Sequence, residues 1–156
     1  MSEKFKTWFV LPVTVRAMLL LLHLLFVGVW LGCVLTEALF ERALLGRGRA
    51  HELLLADLHK RVDAWVEIPA FVAVVVTGCV LLIQAAPSFW LYAKVALGLL
   101  AVLTNGVCVG LVFARASAAH AGNGQRFDQL DHLQHKLGAV VLLALLGALG
   151  VGLTLV

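Results

Sequence analysis

AMLLLLHLLFVGVWLGCVLTEAL, residues Ala17 to Leu39, is long and apolar enough to cross a bilayer as a helix, which takes about 20 such residues. It nevertheless carries His23 inside the apolar run and Glu37 near its far end. A charged group at the centre of a membrane costs roughly 3 kcal/mol or more, and less toward the edges. Leu or Val would span without that cost. These two side chains therefore need partners, and the remainder of the chain holds candidates.

Composition agrees with a membrane protein. Hydrophobic residues make up 62% of the 156 residues and charged ones only 13%. Mean hydropathy is +1.01, far from the balance of a soluble domain. The length suits one domain, residues 1–156, with about four crossings. The net charge of +3 comes from Lys and Arg scattered over loops, so no nucleic-acid partner is expected. Cys33, Cys79 and Cys108 all lie in apolar runs with no C-x-x-C pair. They read as small buried hydrophobes, and a soft copper site is not expected.

Four spans are expected, at about 16–43, 63–84, 89–115 and 127–156. The fold class is an all-α, integral membrane four-helix bundle running up-down-up-down. The N-terminal segment is too polar, and the run behind it too long, for a cleaved signal peptide, so the first helix is read as retained. HELLLADLHKRVDAW (51–65) forms an amphipathic lead into the second span, where Pro69 kinks the helix or marks its entry into lipid. The short link 85–88 makes spans two and three an antiparallel hairpin. The stretch 116–126 is the longest polar, Gly-rich break.

Four crossings place both termini on one side. That side holds Lys4, Lys6 and Arg16, and the other holds Arg42, Arg47, Arg49, Lys60, Arg61, Arg115, Arg126 and Lys136. The bias predicts both termini outside and the longer loops in the cytoplasm of a bacterial inner membrane. Trp8, Phe9, Phe89, Trp90 and Tyr92 fit an outer aromatic belt. Small-residue spacings at Gly28/Gly32, Gly106/Gly110 and Ala144/Ala148/Gly152 predict close helix packing.

Polar groups fall at two depths. From a rise of about 1.5 Å per residue, His23 lies roughly 10 Å in from the outer edge and Lys94 roughly 7 Å, so the two can share a level. Packing of the histidine and outward snorkelling of the lysine are the plain alternatives. Toward the inner end come Glu37, then His59, Asp63 and Glu67 at i, i+4, i+8, then Asp128, His132 and His135 at i, i+4, i+7, with Asp131 beside them. Carboxylates with imidazoles suit iron, zinc or manganese. Glu37, His59, Asp63, Glu67, His132 and His135 are the candidate metal ligands, against the alternative of a solvated charged rim. Asn105 reads as an interhelical hydrogen-bonding residue. A bis-histidine haem lacks a second outer histidine, so an outer haem would use His23 alone or with Lys94, while at the inner level His59 could pair with His132 or His135 at the interface.

With these positions marked, the chain resembles the family of small bacterial membrane proteins that contains the HemJ-type protoporphyrinogen oxidases, and the related copper-resistance D-type membrane domains. The likeness rests on His23 and Trp30 with Gly32 in span one, on Ile68-Pro69-Ala70 with Gly78 in span two, and on WLYAKVALGLL (90–100) in span three. It is weak in span four. The resemblance implies oxidation of protoporphyrinogen IX, an associated b-type haem, and functional roles for His23 and Lys94. Arg16 is a further candidate for binding the cofactor. Where those oxidases end helix one with a Pro-Arg-Leu-Phe-Val-Tyr-His-like pattern, this chain has LTEALFERAL (35–44). The same scaffold with a different reaction is therefore open.

Three functions follow as expectations. One is a membrane redox protein binding haem or a related tetrapyrrole and passing electrons to quinone or a partner. The second is a membrane metal protein with an inner carboxylate/histidine site. The third is a non-catalytic subunit or assembly factor of a larger complex, and a homo-oligomer is a further expectation.

Overall fold

The computed structural model describes residues 11–155. Trp8, Phe9, Lys4 and Lys6 lie outside the described residues. α1 spans Val13–Leu44, α2 Arg49–Val62, α3 Ile68–Gln84, α4 Phe89–His120 and α5 Gly124–Leu153. A π-helical turn, Asp63–Glu67, joins α2 to α3 without a break, so the second rod is continuous over Arg49–Gln84. Four rods are long and apolar enough to cross a membrane, and they form an all-α up-down-up-down bundle. Within their most apolar windows only 17–22% of residues are buried inside the protein. Lipid is thus the natural solvent for the rest of that apolar surface.

The helices run past the expected spans. At 32 residues, α1 and α4 are each about 48 Å long, against about 30 Å of hydrocarbon. α2 is helical from Arg49, well before the expected start of the second span. The expected break at 116–126 is a correction: α4 continues through His120 and only residues 121–123 turn. Ser117 is helical with its hydroxyl donating to Phe113 O at 3.1 Å, and the Ala-rich run 116–119 has high helix propensity. Gly122 takes φ 76° in the turn, and the Asn123 side chain accepts from Arg126 N to start α5. Gly46 and Gly48, at φ 70° and 100°, turn α1 into α2. Ser88 caps α4 by accepting from Leu91 N at 3.2 Å.

Pro69 accounts for the π turn. It lies in the first turn of α3 and cannot donate to the carbonyl four residues back. A locally widened turn keeps the rod continuous through that defect. The same widening bears on the acidic stripe. Four residues overshoot one α-turn by about 40°, so an i, i+4, i+8 row drifts around an ordinary helix. Here His59, Asp63 and Glu67 all remain buried on one face.

Packing divides the bundle into two pairs, α1 with α3 and α4 with α5. Spans two and three are joined by a short extended link, yet they are not the principal packing partners expected of a hairpin. Gly147 and Gly152 let α5 approach α4 closely: an added Cβ would sit 3.2 Å from Leu97 Cδ1 and 3.1 Å from Lys94 Cε. Gly28, Gly32, Gly106 and Gly110 face open space instead, so those spacings do not mark contacts inside this chain. The main core unites Val27, Trp30, Val74, Ala101, Val141 and Leu145. A second core, around Ala56, Ala116, Ala119 and Phe127, packs α2 against the end of α4 and the start of α5. Cys33 and Cys108 are buried as expected, whereas Cys79 is exposed. Phe89, Trp90 and Tyr92 are exposed at the end of the bundle that carries the termini, as an aromatic belt requires.

Candidate functional site

The two helix pairs leave two cavities, one toward each end. The cavity toward the termini has a volume of about 240 Å³ and is walled by all the spanning rods. His23 from α1, Lys94 from α4 and Trp30 from α1 bring the polar atoms into an otherwise apolar lining. Leu82, Leu99 and Leu153 in its wall are themselves exposed, so the cavity opens onto the lipid-facing surface.

Local chemistry orients His23. The Thr77 hydroxyl has a single proton and gives it to Ala73 O at 2.6 Å. Thr77 Oγ1 must then accept from His23 Nδ1, 2.9 Å away. The neutral ring consequently keeps its lone pair on Nε2, the state needed for a base or a metal ligand. Gly78 makes room for the ring, since a Cβ there would lie 3.2 Å from His23 Cε1. Gly152 does the same for the Lys94 stem. Lys94 has no ion-pair partner among the described residues. Trp30 is 1% exposed, and its Nε1 donor has no partner among the described residues. Arg16 is exposed on α1 and does not line the cavity.

Toward the loops, a buried ionic network is centred on Arg115 of α4, which is 0% exposed. Its guanidinium donates to Glu41 Oε1 at 3.1 Å and makes short contacts to Asp131 Oδ1 and His59 Nδ1. Arginine only donates, so His59 Nδ1 accepts, and His59 Nε2 donates to Glu37 O at 3.3 Å. The 3.9 Å approach of His59 Nδ1 to Glu41 is then not an ion pair. His135 Nε2 meets Glu41 Oε2 at 2.9 Å, and its Nδ1 lies 3.3 Å from Asp131 O. Both ring nitrogens thus face acceptor oxygens. Arg115 is the cation paired with both Glu41 and Asp131.

Beside this network lies a second group. One carboxylate oxygen each from Glu37, Asp63 and Glu67 falls within 4.8 Å of the others. Asn105 donates to Glu67 Oε1 at 2.8 Å, fulfilling its expected interhelical role. A cavity of about 230 Å³ is bounded by these three carboxylates together with Glu41, Gln134 and His135.

The expected metal ligands thus separate into four situations. Glu37, Asp63 and Glu67 converge. His59 is buried, but both its ring nitrogens are engaged by Arg115 and a backbone carbonyl. His135 reaches Glu41. His132 is exposed and belongs to neither group. Asp128 is likewise exposed, while Asp131, one row over, is buried. Glu41, Arg115 and Gln134 belong to the assembly although their residue types alone did not single them out.

No protein-family model, curated protein or solved structure matches this chain. Fold and site therefore define the class: a small multi-pass helical membrane protein with a polar site at each end of its apolar core.

Proposed function

We propose that this protein is a membrane redox protein whose terminus-end cavity binds haem b or a related anionic tetrapyrrole and serves transfer to quinone or a partner complex. One observation carries the proposal: His23 and Lys94, on different helix pairs, line the same apolar cavity. The donor set fits such a group. His23 offers the Nε2 lone pair, Lys94 a cation with no ion-pair partner among the described residues, and Trp30 an N–H with no partner among them. Haem, when bound, would supply one-electron chemistry. The chain's own part is to hold the imidazole by Thr77 and Gly78, to place Lys94 beside Gly152, and to exclude water with leucine and valine. At about 240 Å³ the cavity is smaller than most ligand pockets, which run about 300–1,000 Å³. α3 and α4 pack chiefly on other helices rather than on each other, so a planar ligand would be admitted by parting them.

Optical spectra of purified protein, before and after reconstitution with haem, test this. A Soret band is expected, absent in His23→Ala and about tenfold weaker in affinity in Lys94→Met. Absence of a band in reconstituted wild type, or an unchanged one in both variants, overturns the proposal.

The sidedness belongs to the same proposal: termini outside, Arg47 and Ala121 in the cytoplasm of a bacterial inner membrane. It rests on the eight-to-three excess of Lys and Arg on the loop side. Single cysteines at Arg47 or Ala121, both exposed, in a chain lacking native cysteines, should react with an impermeant maleimide only after the membrane is opened. Reaction of both in intact cells reverses the orientation.

A further inference from the structure

We propose that Glu37, Asp63 and Glu67, with Gln134 lining the same loop-end cavity, bind one hard divalent cation. The site is separate from the terminus-end cavity and does not depend on what binds there. Three features carry it.

First, charge balance differs between neighbouring acidic groups. Glu41 and Asp131 have Arg115 as counter-ion. Glu37, Asp63 and Glu67 form no ion pair with any cation among the described residues. Three negative charges this close in an apolar surrounding repel strongly, and a cation or protons must neutralise them.

Second, oxygens are available on residues that line one cavity. Glu37 Oε1, Asp63 Oδ1 and Glu67 Oε2 are buried and have no hydrogen-bond partner among the described residues. Gln134 is no part of the acidic group, comes from a different helix, is 6% exposed and lines the same cavity. Its Oε1 is also unpartnered. A neutral amide oxygen there adds a fourth donor of the type that hard cations take.

Third, the three carboxylates converge: one oxygen from each lies within 4.8 Å of the others, close enough for all three to reach one ion. An all-oxygen set also disfavours softer ions. The π turn supplies Asp63 and Glu67 together, and such turns recur at functional sites.

The experiment uses the full chain in detergent, stripped with chelator and titrated with manganese(II). Loss of the free-ion paramagnetic resonance signal counts bound ions. One ion per chain is expected, displaced by excess calcium but not by sodium. Thermal unfolding should rise by on the order of 5 °C at about 100 times the dissociation constant. The near-isosteric Asp63→Asn and Glu67→Gln should each weaken binding at least tenfold, while His132→Ala, exposed and outside the cavity, leaves it unchanged. The bound signal should show no nitrogen coupling. Failure to retain manganese overturns the site, and the carboxylates are then held by protons. Nitrogen coupling that disappears in His135→Ala also overturns it, because the ion then belongs to Glu41, Asp131 and His135. Should a carboxylate variant fail to fold, wild-type stoichiometry and nitrogen coupling decide alone.

Discussion

Replacing Arg115 by Ala is expected to destabilise the folded protein by about 3–5 kcal/mol, the cost of stranding buried charge when one partner is removed. Arg115 is 0% exposed and binds α1 through Glu41, α2 through His59 and α5 through Asp131. Without it, two carboxylates lose their counter-ion and the His59 Nδ1 lone pair loses its principal donor. Arg115→Lys recovers only part of this, because an ammonium cannot fork toward three partners in one plane. Neutralising the whole set is expected to help more. Arg115→Met with Glu41→Gln and Asp131→Asn should be more stable than Arg115→Ala alone, since no charge is then left unpaired. For a chain of this length the single substitution corresponds to a drop in melting temperature on the order of 10 °C. Thermal unfolding of the purified variants in detergent measures it. Equal melting for wild type and Arg115→Ala would mean that water reaches the network and that Arg115 is not structurally required.

The four crossings were legible because apolar length is a strong signal, but the loop-end network was only half legible. The reason lies in helix registry. On α4 one buried stripe runs Ala101, Asn105, Cys108, Val112, Arg115 and Ala119, spaced alternately by four and three, with Ala116 and Ala118 buried beside its end. Arg115 falls on that stripe, although its charge made it look like a loop residue counted for topology. On α1, His23, Val27, Trp30 and Glu41 follow one buried stripe, so Glu41 could have been found from His23 onward. On α5 the buried row runs Phe127, Asp131, Gln134, Val141, whereas Asp128 and His132 belong to an adjacent, exposed row. A shared spacing among polar residues located a face but did not say which face is inside. Projecting the apolar positions of the same helix would have done so. What sequence could not supply is pairing: α3 packs on α1 rather than on its neighbour in the chain, and that choice opens the cavity shared by His23 and Lys94.

Trp30→Ala and Trp30→Phe should act in different ways, which separates packing from hydrogen bonding at the floor of that cavity. Trp30 is almost wholly buried in the main core and stacks at a tilt on Phe71, with ring centroids 5.9 Å apart. In lipid, helix association draws little from removing apolar surface from water, so the loss on truncation is one of packing. A residual void costs about 24 cal/mol per Å³, and burial of the ring makes about 3 kcal/mol a reasonable expectation for Trp30→Ala. The void would merge with the terminus-end cavity, loosening α1 from α3. Trp30→Phe retains a ring against Phe71 and removes an N–H that has no partner among the described residues. Deleting a buried, unpaired donor relieves its desolvation penalty of about 1–3 kcal/mol, which offsets the smaller loss of contact. Trp30→Phe should therefore melt within a few degrees of wild type, yet bind haem more weakly if the indole donor serves a ligand oxygen. Melting curves and haem titrations on the two variants give both numbers. A Phe variant as unstable as the Ala variant would show that the indole itself, through a bond or its full volume, holds α1 to its neighbours.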